Sequence, residues 1–600
     1  MKKMQIPDTA RKWLLQNRRF ISPALACAVG GAVSWAFWAC KVYRPAAFVL
    51  LFLACFALSL HGFGQKPGRG ALMLCAGFSL AVWLILLGLH VTGSGLVRFG
   101  FPFLLLWLAA AALWLPIFWG LCRFLRDLRL PCAVPSRRRP LLEFLPCWLV
   151  ILAAWFPVYL CWGPVRLDVD SVSLLQQALE GGLNDAQPVF YTLLLRLVLK
   201  PFAALGLVEL GAYLFGAFQM AVVAAALAVN LVWMRRRGCG PWGLLAGLAL
   251  FCLTTAYAFQ SLVVWKDPLF NAALLLYCLM LYDLAASRGE LLSTRGVGVR
   301  FLLLTLAICL LRGNGWLIAL GAGLALLVFP GARRWLLVHL LPLLLAVKLL
   351  TGPVYDLLGI GSQLTAEAWS LPLQQVGYVL QNGGQLTETQ AQRLGRIIPP
   401  DTLVELYDPI VVDPIKRSSD FNGTYFSTWQ GKRDLLVVWL QLAPRHMAGY
   451  FNAWLAVTRG YVDPRYDAGV YSFPYDEQNG SYGVVYHDLV GSLTGWRGLR
   501  GELEIRATFF APGLLAFGLL FCCIVLWAKG AGRYILGFLP MLLVWAGLLI
   551  GSPSYFQFRY MLVYAYAVPA AIFMTLAAPS TTRFSADPSQ LSCNAGPSVL

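Results

Sequence analysis

The sequence predicts an all-α polytopic membrane protein with about fourteen transmembrane helices. Of its 600 residues, 59% are hydrophobic and only 12% are charged, whereas about a quarter of the residues in an average soluble domain are charged. Apolar runs of about 20 residues recur along the chain, and each is long enough to cross a hydrocarbon core of roughly 30 Å. These observations exclude a soluble globular protein.

The predicted spans follow a basic N-terminus, which we interpret as leading into an uncleaved first helix because no clear cleavage site follows it. The spans are residues 21–40, 46–62, 71–91, 101–122, 143–162, 209–233, 241–259, 268–284, 299–311, 313–329, 334–351, 508–528, 533–550 and 560–578. The pair 299–311 and 313–329 is short and could be one broken helix. Residues 188–206 are also apolar, and the topology of the whole chain decides whether they cross the membrane.

Short arginine clusters between the apolar runs predict the orientation. By the positive-inside rule, the clusters at 137–139, 235–237 and 333–334 lie in the cytoplasm, so the net charge of +19 does not require a nucleic-acid partner. The rule is satisfied only if residues 188–206 do not cross, and we therefore predict that they form a helix at the outer face. Both chain termini are then cytoplasmic.

Counting the membrane crossings from a cytoplasmic N-terminus places charged groups from separate segments on the outer face. These segments are the loop 163–208, the motifs WKDP at 265–268, RGNG at 312–315 and QFRY at 557–560, and the polar stretch 352–506. An ionisable group at membrane depth costs about 2.5–3.5 kcal/mol on insertion scales, so each one needs a reason. Because these charged groups lie on the same side of the membrane, the sequence predicts a single outer site.

Five segments are predicted along the chain. They are a four-helix membrane addition at 1–140, a membrane core at 141–351, a small, mainly helical extracytoplasmic domain at 352–506, C-terminal membrane helices at 507–578, and a disordered cytoplasmic tail at 579–600. The extracytoplasmic domain carries 16 of the 28 acidic residues. Thr387 and Gln390 have capping-box spacing, and residues 435–461 are predicted to form a helical hairpin.

Three aspartates in the first outer loop are candidate acids or bases. Asp168 and Asp170 follow a span, and Asp170 with Ser171 could cap the helix SVSLLQQALEGG. Capping directs a carboxylate at a helix N-terminus, which keeps the carboxylate ionised as a general base requires. Asp185 precedes Pro188 and is equally typical of a turn.

Cationic candidates come from three later segments. Lys266 adjoins Asp267, Arg312 precedes Asn314 between two glycines, and Arg559 precedes Tyr560. Each has a simpler interpretation: a local charge pair, a snorkelling arginine, or an aromatic-belt anchor. Together, Lys266, Arg312 and Arg559 would form a cationic site suited to phosphate, which arginine binds through its fork of N–H donors.

The order of these motifs resembles the GT-C superfamily of integral membrane glycosyltransferases, especially the bacterial protein O-mannosyltransferase-like group. The matching elements are LDVDS, QQALEGG, NDAQPVFYTLLLRL, WKDPLF, LRGNGWLIAL and FRYMLVYAYAVP, with LPLQQVGYVL and YDPIVVDPIK in the outer domain. The resemblance covers roughly residues 141–578. Gln187 departs from it, because many relatives have histidine before the proline and an amide cannot titrate.

The resemblance implies an inverting transfer of a sugar from a polyprenyl-phosphate donor to a glycan, lipid or protein acceptor of the cell envelope. Asp170 would be the general base, with Asp168 in reserve. The substrate-binding residues would be Lys266, Asp267, Arg312, Asn314, Arg559, Tyr560 and Gln187. Some members use a divalent metal, Mg or Mn, near the phosphate, and Asp185 or Asp267 could serve as its ligand. The protein would lie in a bacterial inner (plasma) membrane.

Other functions fit parts of the sequence. A transporter or lipid flippase places charged residues near mid-membrane in broken helices, often in paired halves, whereas these charges cluster at one face. A polysaccharide polymerase or ligase shares the lipid-linked donor and differs in its acceptor. A non-catalytic scaffold would use the outer domain to bind protein partners.

Overall fold

The protein is a multi-pass membrane protein built from helices. The computed structural model describes residues 53–61, 68–94, 100–128, 139–361, 368–464, 480–496, 498–505, 511–552, 554 and 556–579. Within these ranges eight helices are long and apolar enough to cross a membrane, and the bent pair Pro241–Leu253 and Ala256–Leu262 would make nine. These apolar helices indicate a lipid bilayer as the protein's surroundings.

The helices between residues 69 and 357 contain most of the candidate spans. In chain order they are α1 (Arg69–Ser94), α2 (Phe101–Asp127), α3 (Pro140–Trp162), α4 (Val169–Leu179), α5 (Val189–Ala204), α6 (Val208–Arg236), α7 (Pro241–Leu253), α8 (Ala256–Leu262), α9 (Lys266–Ala286), α10 (Arg295–Leu311), α11 (Gly315–Leu326) and α12 (Pro330–Leu357). Proline begins α3, α7 and α12, where its missing N–H needs no partner.

The remaining helices include six short ones and two candidate spans. In chain order they are α13 (Ser370–Gln381), α14 (Glu388–Gly395), α15 (Pro400–Glu405), α16 (Asp413–Lys416), α17 (Gly423–Ser427), α18 (Trp429–Val462), α19 (Leu489–Thr494), α20 (Gly498–Ile505), α21 (Pro512–Ala528), α22 (Leu539–Gly551) and α23 (Leu562–Ala577). Short 3-10 turns at Gly532–Phe538 and Phe558–Met561 lengthen α22 and α23 into spans.

The predicted number of spans stays a prediction. The predicted span 21–40 and most of 46–62 lie outside the described residues. Helices α10, α11 and α21 occupy three other predicted spans but have 17, 12 and 17 residues. Residues 188–206, predicted not to cross, form α5, whose 16 residues are fewer than those of any candidate span.

The chain divides into two compact units. The first contains the described residues up to 128, Phe517–Gly532, and the end of α23 from Thr575. Its core packs around buried side chains that include Cys75, Trp119, Cys122 and Val525. The second contains the remaining described residues, among them the predicted membrane core and most of the predicted extracytoplasmic domain. The predicted C-terminal segment 507–578 is thus shared between the two units.

In the second unit, charged side chains mark both ends of α9. At one end Arg237, which follows α6, forms an ion pair with Asp283. At the other end α9 begins with Lys266 and Asp267. The 16 residue steps from Asp267 to Asp283 correspond to about 24 Å of helix, close to the thickness of a hydrocarbon core. The arginine cluster at 235–237 and the start of α9 therefore lie at opposite ends of the bundle, as predicted.

The stretch 368–464 forms a helical domain with its own apolar core. Buried core side chains include Leu373, Leu394, Phe426, Leu435 and Tyr450. The predicted capping box is present, since the Thr387 hydroxyl accepts from the Gln390 N–H while the Gln390 side chain accepts from the Thr387 N–H.

Helix α18 turns back on itself within this domain. His446 leaves the helical region of backbone angles (φ −129°, ψ 29°), and the Tyr450 hydroxyl donates to the carbonyl oxygen of Trp439 at 2.6 Å. In a straight helix these residues would be about 16 Å apart along the axis, at 1.5 Å per residue. The two halves of α18 are therefore folded towards each other, in agreement with the predicted hairpin.

Candidate active site

The first acidic loop is fixed beside the chain that leads into α9. Arg166 forms a parallel bridge with Val263, in which the Arg166 N–H donates to the Leu262 carbonyl and the Val264 N–H donates to the Arg166 carbonyl, both at 3.0 Å. The bridge pairs backbone groups that would otherwise be buried without partners. It brings residues 166–170 next to residues 263–267.

Gln219 of α6 holds the same segment from the other side. Its side-chain amide donates to the carbonyl oxygens of Ser261 and Val263, at 2.7 and 2.6 Å, and its oxygen accepts from the Tyr191 hydroxyl at 2.8 Å. Gln219 is buried, so losing its side chain would remove hydrogen bonds from three polar groups in the core. The start of α9 therefore has a rigid support.

Asp168, and not Asp170 with Ser171, caps helix α4. The Asp168 carboxylate accepts from the Val169 N–H at 2.6 Å, and Ser171 completes a capping box by accepting from the Asp168 N–H at 2.9 Å. The sequence predicted the cap two residues too late, because the helix begins at Val169. Burial raises the pKa of Asp168, although its bond to Val169 and the charge of Arg559 oppose this.

Asp168→Ala is expected to destabilise the protein by about 1 kcal/mol, whereas Asp168→Asn is expected to be nearly neutral, because asparagine caps a helix about as well as aspartate. The measurement is thermal unfolding of the purified protein in detergent. Equal losses for both variants would contradict the capping role.

Asp170 lies in the first turn of α4 and joins a cluster of ion pairs. Its carboxylate is 2.7 Å from Nη2 of Arg559, and Asp267 Oδ1 is 3.2 Å from Nη1 of Arg312. Asp267 Oδ2 is 4.0 Å from Nε of Arg559, which connects the two pairs. We call Asp170, Lys266, Asp267, Arg312 and Arg559 the ion-pair cluster. It brings together residues that the sequence predicted to converge.

The cluster carries an excess of positive charge. The five residues of the cluster are three basic and two acidic side chains, a formal excess of one positive charge, which Asp168 partly offsets because it also interacts with the charge of Arg559. Asp267 is fully buried, the arginine side chains are 10–14% exposed, and Asp170 is 35% exposed. Asp170 is therefore the carboxylate of the cluster that solvent or a substrate reaches most easily.

Aromatic rings hold the two guanidinium groups in place. Tyr560 lies between them, with its ring centre 4.7 Å from the Arg312 guanidinium carbon and 5.2 Å from that of Arg559. Trp265 stacks on Arg559 at 4.4 Å, and Phe270 lies 5.3 Å from Arg312. Stacking of this kind orients a planar guanidinium and leaves its edges available for hydrogen bonds.

Asn271 is a site residue that the sequence reasoning missed. Its amide nitrogen donates to the carbonyl oxygens of Asp267 and Arg559, at 2.8 and 3.1 Å, and its oxygen accepts from the Val563 N–H at 3.0 Å. It thereby ties the start of α9 to the segment that carries Arg559. A signal was available: Asn271 is a buried amide one helical turn after Asp267 in an apolar span.

The predicted substrate-binding residues Gln187 and Asn314 lie in different surroundings. Gln187 is buried, and its oxygen accepts from the Lys266 ammonium at 2.6 Å, so an amide serves here as an acceptor for a cation. Asn314 is exposed at the start of α11, two residues after Arg312. Its side chain does not cap the helix.

The pKa of Asp170 is lowered in this environment. Burial acts to raise it, but the charges of Arg559 and Lys266 and the hydrogen bond from Arg559 outweigh burial, with a smaller contribution from Arg417. Arg417 follows α16 and is exposed, with Asp413 as its ion-pair partner. The helical domain thus places a cation within electrostatic range of Asp170, a feature that the sequence did not reveal.

Parts of the Arg559 guanidinium are buried without a hydrogen-bond partner among the described residues. Nη2 contacts Asp170 and lies 3.4 Å from the Tyr560 hydroxyl, but Nη1 and Nε form no hydrogen bond. Buried polar groups in folded proteins are almost always paired. Each of these donors can form a charge-assisted hydrogen bond with an oxyanion.

The described residues do not fit the predicted divalent metal. No three His, Cys, Asp or Glu side chains in the described ranges lie close enough to hold one. The charged groups that influence Asp185, the predicted ligand, are Lys348 and Lys266, and Asp267 faces arginines. A site rich in cations repels a metal ion, and no step of the proposed mechanism uses one.

One family model matches this chain. It carries the description "Family of unknown function (DUF6020)" and matches residues 178–588. The match includes Lys266, Asp267, Arg312 and Arg559 and begins after Asp170. No curated protein and no solved structure matches the chain significantly. Because the match covers more than half of the 600 residues, the chain belongs to the DUF6020 family, a family of unknown function.

Proposed function

We propose that this protein is a GT-C-type membrane glycosyltransferase. It transfers a sugar from a polyprenyl-phosphate donor to an acceptor of the cell envelope, with inversion at the anomeric carbon. The ion-pair cluster lies on the extracytoplasmic face of the inner membrane, and both chain termini are cytoplasmic. The proposal rests on the resemblance of the motif order to that superfamily and on the arrangement of Arg559.

The arrangement of Arg559 is the observation that carries the proposal. Nη2 of its guanidinium holds Asp170 at 2.7 Å, while Nη1 and Nε are buried and form no hydrogen bond with the described residues. A phosphate bound to Nη1 would lie close to an ionised carboxylate. This transfer needs two groups: a cation that binds the phosphate, and a base that takes the proton of the acceptor hydroxyl.

Asp170 acts as the general base in this mechanism. The acceptor hydroxyl oxygen forms a bond to the anomeric carbon on the face opposite the phosphate, and its proton passes to the Asp170 carboxylate. The bond between the anomeric carbon and the phosphate oxygen breaks, and its electron pair leaves with that oxygen. Attack on the opposite face inverts the configuration.

The excess charge of the cluster favours the leaving group. A phosphodiester donor carries one negative charge, and the departing polyprenyl phosphate carries two. Arg559 and Arg312, with Lys266, surround the position where the second charge develops. Preorganised cations that bind a developing charge more strongly than the ground state lower the barrier, because they need no reorganisation during the reaction.

The test uses full-length protein purified in detergent, with radiolabelled polyprenyl-phosphate sugars and cell-envelope glycans, lipids and proteins as acceptors. We expect release of polyprenyl phosphate together with a product of inverted anomeric configuration. In a parallel assay the protein is reconstituted in liposomes that contain the labelled donor. Movement of intact donor across the bilayer without sugar transfer would contradict the proposal and identify a lipid transporter.

The activity is expected to persist into acidic conditions. Because the pKa of Asp170 is lowered, the base stays ionised until the pH falls below about 4, the ordinary aspartate range. The stability contributed by its ion pair is present above that range and is lost as the pH falls through the folded-state pKa. We expect kcat/KM to be level from pH 7 to about 4.

Arg559→Gln sharpens this prediction. Removing the strongest lowering charge raises the pKa of Asp170, so the acidic fall in kcat/KM moves to higher pH even though the overall rate is lower. The measurement is the pH profile of transfer for both proteins. A wild-type fall centred near neutral pH, or an unchanged profile for the variant, would contradict the assignment of Asp170.

A further inference from the structure

Lys348 is a charged side chain in the middle of an apolar helix. It lies in α12, a candidate span, nine residues before the end of that helix at Leu357, or about 13 Å at 1.5 Å per residue. Lys348 is exposed, and so are its apolar neighbours Leu345 and Leu349. Charged side chains in candidate spans usually face the bundle interior or pair with one another, so a lysine exposed among apolar side chains calls for a function.

The surroundings of Lys348 connect it to the ion-pair cluster. Its ammonium lies 4.5 Å from the ring centre of Trp316, and none of the described carboxylates forms an ion pair with it. Trp316 is the second residue of α11, four residues after Arg312. The ammonium therefore lies at the level of the cluster, on a surface that faces lipid.

The loop around Asp185 forms the other side of this surface. The Asp185 N–H donates to the Gly361 carbonyl at 2.8 Å, and the Gly361 N–H donates to the Leu183 carbonyl at 3.3 Å. Burial raises the pKa of Asp185, and the charges of Lys348 and Lys266 partly offset this effect. Asp185 thus lies within electrostatic range of both lysines, one at the lipid surface and one in the cluster.

The backbone of α12 is irregular just beyond Lys348. Residues Leu350–Val354 form a π-helical turn, and single π-turns within α-helices occur frequently at functional sites. The added residue changes which side chains face the neighbouring helices. The irregular turn separates Lys348 from Tyr355, which packs against Val189 and Ile360 beside the Asp185 loop.

We propose that Lys348 and Trp316 form a lipid-access site, which binds the phosphate of the polyprenyl-phosphate donor from the bilayer before the phosphate passes to Arg312 and Arg559. This inference rests on the proposed function. A lysine that faces lipid without a carboxylate partner is complementary to an anionic headgroup. Tryptophan is typical of the membrane interface, where such headgroups lie.

Lipid binding tests the site independently of catalysis. Full-length wild-type protein and the variants Lys348→Gln, Lys348→Arg and Lys200→Gln are titrated in detergent with polyprenyl phosphate, phosphatidylglycerol or inorganic phosphate. Lys200 is an exposed lysine of α5 and serves as the matched control. We expect Lys348→Gln to weaken polyprenyl phosphate binding at least fivefold, with Lys348→Arg and Lys200→Gln close to wild type.

Three results would overturn the inference. They are unchanged polyprenyl phosphate binding by Lys348→Gln, an equal loss with Lys200→Gln, or equally tight binding of phosphatidylglycerol, which would indicate a general lipid contact. Inorganic phosphate is expected to bind at least tenfold more weakly than polyprenyl phosphate, because it lacks the apolar chain. Equal affinity for the two would indicate a soluble phosphate site.

Kinetics separate this inference from the proposed function. Lys348→Gln is expected to raise KM for a long-chain donor at least fivefold without changing kcat. A short-chain, water-soluble donor reaches Arg312 and Arg559 without crossing the lipid surface, so its KM is expected to stay the same. An equal rise for both donors would contradict an access role. If no donor supports transfer, the proposed function fails, and the binding titration still decides whether Lys348 holds a lipid phosphate.

Discussion

Asp170→Asn is expected to lower the rate of sugar transfer by about 10²–10⁴-fold, the range typical for loss of a general base. The amide has nearly the same shape as the carboxylate but cannot take the proton of the acceptor hydroxyl. Arg559 loses its 2.7 Å partner but remains beside Asp267. The measurement is kcat/KM with a polyprenyl-phosphate sugar at neutral pH.

Asp168→Asn is the matched control for this variant. The same chemical change is made two residues away, at a carboxylate that caps α4 and accepts a backbone hydrogen bond from Val169. Its rate is expected to stay within a few-fold of wild type, since asparagine preserves the cap. Loss of activity in Asp168→Asn, with activity retained in Asp170→Asn, would make Asp168 the base.

Folding must be compared before the rates are interpreted. Asp170 is 35% exposed, so its ion pair is partly screened by solvent, and Asp170→Asn is expected to unfold at nearly the wild-type temperature in detergent. Binding of polyprenyl phosphate, which uses Nη1 of Arg559 and not the Nη2 that holds Asp170, should also be retained. A variant that binds the lipid and stays folded but does not transfer sugar identifies Asp170 as the base.

The convergence of distant segments could be predicted from the sequence. Asp170 and Arg559 are separated by most of the second unit, yet they form a direct ion pair. The charge rule assigns each apolar run a direction, and every group at the same end of its run must then lie on one face. This argument needs no knowledge of packing. It brought together Asp170, Lys266, Asp267, Arg312 and Arg559.

The contacts within the cluster could not be predicted in the same way. Whether Asp168 or Asp170 caps α4 depends on the residue at which the helix begins, and helix boundaries are uncertain by one or two residues. Arg417 influences Asp170 only because the fold brings the residue after α16 within electrostatic range of the first outer loop. The sequence shows that Asn271 is an amide in an apolar run one helical turn after Asp267, but it does not show the three partners of its side chain.

The number of spans was the least predictable feature of the fold. Helices α10 and α11 are joined at Arg312, and α11 begins at Gly315, where an added Cβ would lie 2.1 Å from the Ile308 carbonyl oxygen. Only glycine permits such a close approach of two backbones. Hydropathy finds the apolar residues of such a turn, but it does not show whether the two helices cross the bilayer separately.

Asp267→Asn is expected to destabilise the protein by about 3–5 kcal/mol, because removing one partner of a buried ion pair leaves an uncompensated buried charge. Asp267 is fully buried, and its carboxylate lies 3.2 Å from Arg312 and 4.0 Å from Arg559. Its negative charge therefore reduces the repulsion between the two arginines. The measurement is the free energy of unfolding in detergent. Asp127→Asn is the control, since the ion pair of Asp127 with Arg126 is exposed and its loss should cost less than about 1 kcal/mol.

The double variant Asp267→Asn/Arg312→Gln distinguishes charge compensation from simple loss of packing. Removing both partners also removes the Arg312 charge that Asp267→Asn leaves uncompensated, so the double variant is expected to be more stable than Asp267→Asn alone. If the effects of the two substitutions add, Asp267 does not neutralise Arg312. If the coupling is present, Asp267 holds Arg312 and Arg559 side by side despite their mutual repulsion, and this pairing creates the cationic surface that a lipid phosphate would meet.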